Sequence, residues 1–278
     1  MKLTMESLQN QLLKSGLNNI KEKINFDNLS ENNLNQGLYY AVIINYKEII
    51  TTLIEQGANV NHVEQKDSVL HHAIRRGHFG VAELLVANGA NINAKGLSGD
   101  SPLHYSVQSN NNNFSIFLIE NGAQMNIGDE IGAKPLHYAC LYGNIELIQY
   151  LIKSGANLNA KDHYGKTPLF YACNGNHFDV IEMLCKKYKM NINASDKNGK
   201  NLIHYAVLYN TIEMVQFLIN CGANINTTDQ TNSTPLHYAC HYKNIKKIKL
   251  LIENNANTDI KNNSNKLALD YCPDIIFN

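Results

Sequence analysis

The chain has 278 residues, with 24 basic and 24 acidic side chains and a formal net charge of zero. That length suits one large domain or two ordinary ones. The charge balance argues against a dedicated nucleic-acid binder or a polybasic membrane anchor, both of which draw on excess Lys and Arg.

No apolar run approaches the roughly 18 residues needed to span a bilayer. The opening MKLTMESLQNQLLKSG, broken by Gln, Asn and Lys, lacks the apolar core of a secretory signal. Leu8, Leu12, Leu13, Leu17, Ile20 and Ile24 predict an N-terminal helical cap over residues 1–30, or a degenerate repeat. From residue 31 the sequence repeats. The apolar residue of a recurring L-H or L-F step stands at Leu38, Leu70, Leu103, Leu136, Leu169, Ile203, Leu236 and Leu269, at gaps of 32, 33, 33, 33, 34, 33 and 33. A second marker runs in phase: GANVN (57–61), GANIN (89–93), GAQMN (122–126), GANLN (155–159) and GANIN (222–226). The seven units start near residues 31, 63, 96, 129, 162, 196 and 229, with a C-terminal half unit from 262.

The fourth unit displays the expected elements. Pro135 suits the first turn of a helix, where its missing N–H would be unpaired anyway. Thr167 and Thr234 precede the equivalent prolines and can cap. Leu136, Ala139 and Cys140 form one buried stripe, and Gly143 ends the helix. Ile145, Ile148, Leu151 and Ile152 stripe a second, antiparallel helix ending at Gly155. Residues 157–166, rich in Asn, Gly and Asp, read as a hairpin or turn finger. In the third unit SNNNNFS (109–115) replaces the usual turn between helices and reads as a looser, more mobile unit or as Asn drift from composition. In the seventh, KNIKKIK (243–249) reads as a solvated outer face carrying Lys243, Lys246, Lys247 and Lys249, with contact to an acidic partner as the alternative. Asparagine, roughly one residue in seven, is taken as a mark of an AT-rich source rather than of chemistry.

This period, with KPLHYAC (134–140), TPLFYAC (167–173) and TPLHYAC (234–240), resembles the ankyrin repeat over about residues 31–278. The resemblance implies an all-α solenoid of stacked helix-turn-helix units with short hairpin or loop fingers. It also implies that partners touch the finger tips and the last turn of each first helix.

The His, Tyr and Cys of the repeat are groups of nucleophilic and zinc chemistry, but their pattern argues for structure. Cys140, Cys173 and Cys240 share a slot with Val42, Val107 and Val207, which marks a small apolar packing site. Cys185, Cys221 and Cys272 fit no zinc spacing. All six are expected as free, buried thiols, with the protein in a reducing, cytoplasmic compartment. His71, His104, His137, His204 and His237 share a position with Tyr39 and Phe170, which speaks against shared chemistry. The resemblance makes this histidine structural. The expectation is a non-catalytic scaffold, monomeric by itself, without cofactor or metal, that binds another protein and neither nucleic acid nor membrane. The alternatives are a secreted effector of an intracellular microbe or virus, and a regulatory subunit of a separate enzyme.

The candidate contact residues are Arg75 and Arg76, Leu141 and Tyr142, Leu208 and Tyr209, and His241 and Tyr242 on the last turns. Leu97, Ile131 and Tyr164 join them at the fingers. Lys95, Asp100, Glu130, His163, Lys166, Lys197, Gln230 and Thr231 complete the finger set. The competing reading has the tyrosines half buried against the adjacent unit.

Overall fold

The computed structural model describes residues 29–273, so the cap expected over residues 1–30 lies, but for its last two residues, outside them. Fourteen α-helices among the described residues fall into two compact units that divide between Glu130 and Ile131. The first holds α1 (Glu31–Ile43), α2 (Lys47–Glu55), α3 (Val69–Arg75), α4 (Phe79–Ala87), α5 (Pro102–Gln108) and α6 (Asn112–Glu120). A two-residue antiparallel hairpin, β1 (Val63–Glu64) and β2 (Asp67–Ser68), precedes α3. The second holds α7 (Pro135–Tyr142), α8 (Ile145–Lys153), α9 (Pro168–Asn174), α10 (Phe178–Lys186), α11 (Leu202–Tyr209), α12 (Ile212–Asn220), α13 (Pro235–His241) and α14 (Ile245–Glu253). A 3-10 turn at Ala268–Tyr271 closes it. Odd-numbered, inner helices pack on the even-numbered helix that follows and, within each unit, on the next inner helix.

Local chemistry sets the helix starts. Pro102, Pro135, Pro168 and Pro235 open their helices. Ser101 and Thr234 accept a backbone N–H from His104 and His237. The inner stripes Leu70–Ala73–Ile74, Leu136–Ala139–Cys140 and Leu236–Ala239–Cys240 are fully buried, as are Ile49–Ile50–Leu53 and Leu147–Ile148–Leu151 on the outer helices. Each such leucine contributes about 2 kcal/mol through removal from water, and isolated helices of seven to nine residues would not form without it. In the third repeat Ser106 and Ser115 take two of these slots together and satisfy each other at 2.9 Å. A polar pair there replaces an apolar one.

Asparagine has structural work beyond composition. Asn61 Oδ1 accepts the Asn91 N–H at 2.6 Å while its Nδ2 donates to the Gly89 carbonyl. Asn93 and Asn193 repeat the bridge to the next marker, and Asn226 accepts from Asn257. Asn45, Asn110 and Asn176 adopt the left-handed backbone between the paired helices, where Gly77 and Gly143 serve elsewhere. The run at 109–115 is therefore a capped turn, with Asn111 Oδ1 accepting the Phe114 N–H.

Lys247 corrects the reading of KNIKKIK. It occupies the slot of Leu147, Val180 and Met214, is 6% exposed, and donates from Nζ to the carbonyls of Ala206, Val207 and Asn210. The ammonium thus satisfies the carbonyl end of α11, where a cation is favoured. His78, His177 and Asn210 make the same backward reach to Val42, Leu141 and Cys173.

Candidate functional site

The repeated histidines form a seam. Nδ1 of His71, His104, His137, His204 and His237 accepts the backbone N–H three residues earlier, at 2.9–3.3 Å. A backbone N–H can only donate, so Nδ1 is unprotonated and the proton sits on Nε2. From there His71, His137, His204 and His237 donate to the carbonyls of Asp100, Lys166, Ser233 and Lys266 in the following repeat. Burial lowers the basicity of His71 to about 4 and that of His137 and His204 below the ordinary value. These imidazoles are fully committed. Phe170 breaks the seam: Thr167, expected to cap, makes no such bond, and its buried hydroxyl has no partner.

The cysteines divide. Cys140, Cys173, Cys240 and Cys272 are buried, and burial raises the Cys173 thiol to about 12. Cys185 and Cys221 are only half buried because they sit on outer helix ends, away from the inner stripe. Among the described residues no group of three His, Cys, Asp or Glu is placed to hold a metal ion, and no helix is long and apolar enough to cross a membrane.

In the second unit three fingers are each anchored by a sunken aspartate. Asp162 Oδ1 accepts the N–H groups of Tyr164 and Lys166, while Oδ2 accepts the Tyr171 hydroxyl at 2.9 Å. Asp196 does the same with Asn198, Lys200 and Tyr205, and Asp229 with Thr231, Ser233 and Tyr238. Burial alone would raise Asp229, but these donors outweigh it and lower it. Backbone bonds then join finger to finger: His163 N–H to Ile131 O, Lys197 N–H to Tyr164 O, Gln230 N–H to Asn198 O, and Asn263 N–H to Thr231 O.

These constraints fix what is left outside. Tyr142, Tyr209 and Tyr242 are 46%, 69% and 66% exposed, so the half-buried alternative does not hold for them. Leu141 and Leu208, by contrast, are half buried, and His241 is exposed with its ring 5.0 Å from that of Tyr242. Ile131, Tyr164 and Tyr209 come together around one cavity of about 460 Å³, with Phe170, Tyr205 and Lys166. His241 and Tyr242 line a second hollow with Tyr238 and Tyr271. Tyr142 belongs to neither. Sequence reasoning noted Phe170 only as a histidine substitute and passed over Tyr205, yet both line the cavity. The signal was available, since a residue in the histidine slot lies beside the tyrosine slot of the next repeat, with rings 5.5 Å apart.

In the first unit Arg76 and Leu97 are exposed. Arg75 is partly used internally: it pairs with Asp67, bonds the Tyr105 hydroxyl at 3.0 Å, and lies over that ring. Gly96 stands in the slot of the sunken aspartates, and a Cβ there would meet Asp67 Oδ1 at 2.3 Å. Asp67 fills that space and takes over the Tyr105 hydroxyl.

Comparison with known proteins agrees with this architecture. The crystal structure of the ankyrin repeat domain of Bcl-3, described as a unique member of the IkappaB protein family, matches with a TM-score of 0.64 and 26% identity. The match covers 75% of this chain and 95% of that one. No curated protein matches the chain. A family profile described as ankyrin repeats in three copies matches residues 5–96, 94–162, 136–229 and 203–273. With inner and outer helices, capped seam and finger turns recurring across those residues, the chain belongs to the ankyrin repeat family.

Proposed function

We propose that the chain is a non-catalytic scaffold that acts without a cofactor and binds another protein on the inner-helix and finger face of its second unit. Ankyrin repeats generally mediate protein–protein interaction, and the carrying observation is the exposure of Tyr142, Tyr209 and Tyr242 at the ends of α7, α11 and α13. Large, rigid, amphipathic rings left in water are favoured anchors, because they bury much area at little entropic cost. Arg76 and Leu97 offer a separate contact on the first unit. The committed state of the seam supports the absence of catalysis: in His71, His137, His204 and His237 both ring nitrogens are engaged. The four buried thiols support a reducing compartment. Capture from a lysate with the wild-type chain and with Tyr142→Ala/Tyr209→Ala tests the site. A specific partner should fall at least about tenfold in recovery with the variant, the effect of removing one hot-spot side chain or more. Equal recovery of every partner by both baits would remove this face from consideration.

A further inference from the structure

The formal charge of zero is the sum of two opposed halves. Residues 29–130 hold ten acidic and five basic side chains, whereas residues 131–273 hold fifteen lysines, no arginine and ten acids. One repeat position carries much of the contrast. Three residues before the aligned leucine or isoleucine stand Asp67 and Asp100 in the first unit, and Lys166, Lys200 and Lys266 in the second.

Burial then sorts the charges of the second unit. Its finger aspartates, Asp162, Asp196 and Asp229, are sunk and hydrogen-bonded through both oxygens. The lysines beside them stay at the surface. Lys166 Nζ lies 4.5 Å from the centre of the Tyr205 ring and Lys200 Nζ 4.6 Å from that of Tyr238, while Lys197 and Lys266 are exposed. None of the four takes part in the ion pairs found among the described residues; the pair in this unit, Lys186–Glu182, is on an outer helix. A face with its negative charge internally satisfied and its positive charge unpaired complements an anion. Beside Lys166 opens the 460 Å³ cavity, lined also by Ile131, Phe170 and Tyr209; its one carboxylate, Asp162, is already hydrogen-bonded through both oxygens, and at the histidine slot it presents the apolar Phe170.

We propose that this face takes an acidic segment of a partner protein, its carboxylates meeting Lys166, Lys197 and Lys200 and one of its apolar or aromatic side chains seated beside Phe170. The proposal rests on the reading of this face as a protein-binding surface. It favours a peptide over single-stranded nucleic acid because the Tyr205 and Tyr238 ring faces, which would stack bases, are already covered by ammonium groups.

Fluorescence anisotropy with the full chain tests it, using a labelled twelve-residue peptide of alternating Glu and Asp with two phenylalanines. A Gln/Asn counterpart and a twelve-nucleotide oligouridine serve as rivals. The acidic peptide should bind at least about tenfold more tightly than the neutral one, and weaken several-fold between low and high salt. Lys197→Glu should weaken it about tenfold. Lys197→Gln/Lys200→Gln, the milder variant, should weaken it several-fold with an unchanged circular-dichroism melt. Equal affinity for acidic and neutral peptides, tighter binding of oligouridine, or charge variants that bind like wild type would each overturn the proposal. So would sedimentation showing a self-association that Lys197→Glu abolishes, because the occupant would then be the acidic unit of a second copy. If partner capture still depends on Tyr142 and Tyr209 while the peptides bind equally, the binding face stands and only its acidic occupant is lost.

Discussion

Thr167 and Thr234 occupy the same place in the repeat and differ in one respect, the side chain three residues on. Thr234 has His237 within 2.8 Å of its hydroxyl, whereas Thr167 faces Phe170 and keeps a buried hydroxyl without a partner. An unmade buried hydrogen bond costs more than a made one gains. Thr234→Val should therefore lose about 1–2 kcal/mol in urea unfolding, while Thr167→Val should be neutral or stabilising by up to about 1 kcal/mol. Similar losses at both sites would mean that the seam does not set their value. Asp100 makes a second residue-scale case. One of its oxygens is buried and unpartnered, and burial, with Asp129, Asp67 and Glu130 nearby, raises its pKa to about 6. A carboxyl raised in the folded state stabilises below its unfolded value near 3.8 and loses that contribution as pH climbs through 6. Asp100→Asn should thus add about 1–2 kcal/mol at pH 7.5, shrinking to nothing near pH 4. At this scale the sequence displays which residue fills each slot. It does not display the consequence, because a hydroxyl at 167 becomes an orphan only when the fold brings position 170 over it.

Helices were the most legible level. Proline at the first turn marks four inner helices, with Ser or Thr before it in three of them, and the i, i+3, i+4 stripe marks the others; the structure places them there because those are local signals of backbone chemistry. Lys247 was misread for the complementary reason. Its neighbours Lys243, Lys246 and Lys249 are exposed, and a run of like charge was read as one solvated face. The repeat register carried the correction, since the same slot holds Leu147, Val180 and Met214. What register alone does not reveal is the compensation, three carbonyls at the end of α11 reached by one ammonium. Two forces oppose each other at Lys247. Burial disfavours the charge and lowers its basicity, whereas charge-assisted bonds at the negative end of a helix favour it. The carbonyls left behind decide the balance. Lys247→Met should destabilise by about 1–3 kcal/mol, against less than about 0.5 kcal/mol for the exposed Lys246→Met. A more stable Lys247→Met chain would show that the slot prefers an apolar side chain despite the open carbonyls. The candidate face was legible in part. Repeat spacing placed Tyr209 and Tyr242 on final turns, but their exposure, and the joining of Ile131 and Tyr164 to Phe170, depend on how successive fingers bond to one another.

Across the whole chain the repeat period is plain in the sequence, whereas the charge distribution is hidden by being summed. The distributed histidine seam has a consequence that belongs to the molecule rather than to any one repeat. His71, His137 and His204 are held neutral, first by burial and then by backbone N–H groups aimed at Nδ1, where an added proton has no place. A histidine whose folded value lies below its unfolded one, near 6.5, leaves stability intact above pH 6.5. That stability drains as the unfolded chain takes up protons and the folded one does not. For His71, with a folded value of about 4, the loss between pH 7.5 and 5 is about 2 kcal/mol. His137 and His204 add to it with the same sign. Asp100 works the other way, since its raised carboxyl gains a proton over the same interval and returns about 1 kcal/mol. Urea midpoints measured from pH 7.5 to 5 should therefore fall steadily in the wild-type chain. They should fall more steeply in Asp100→Asn, which starts higher and lacks the offsetting group. Asp67 and Asp229, both lowered, contribute only further down, as pH drops below the ordinary carboxylate range. A midpoint independent of pH between 7.5 and 5 would mean that the seam histidines accept protons without loss of the fold. Parallel slopes in the two chains would instead remove Asp100 from the balance.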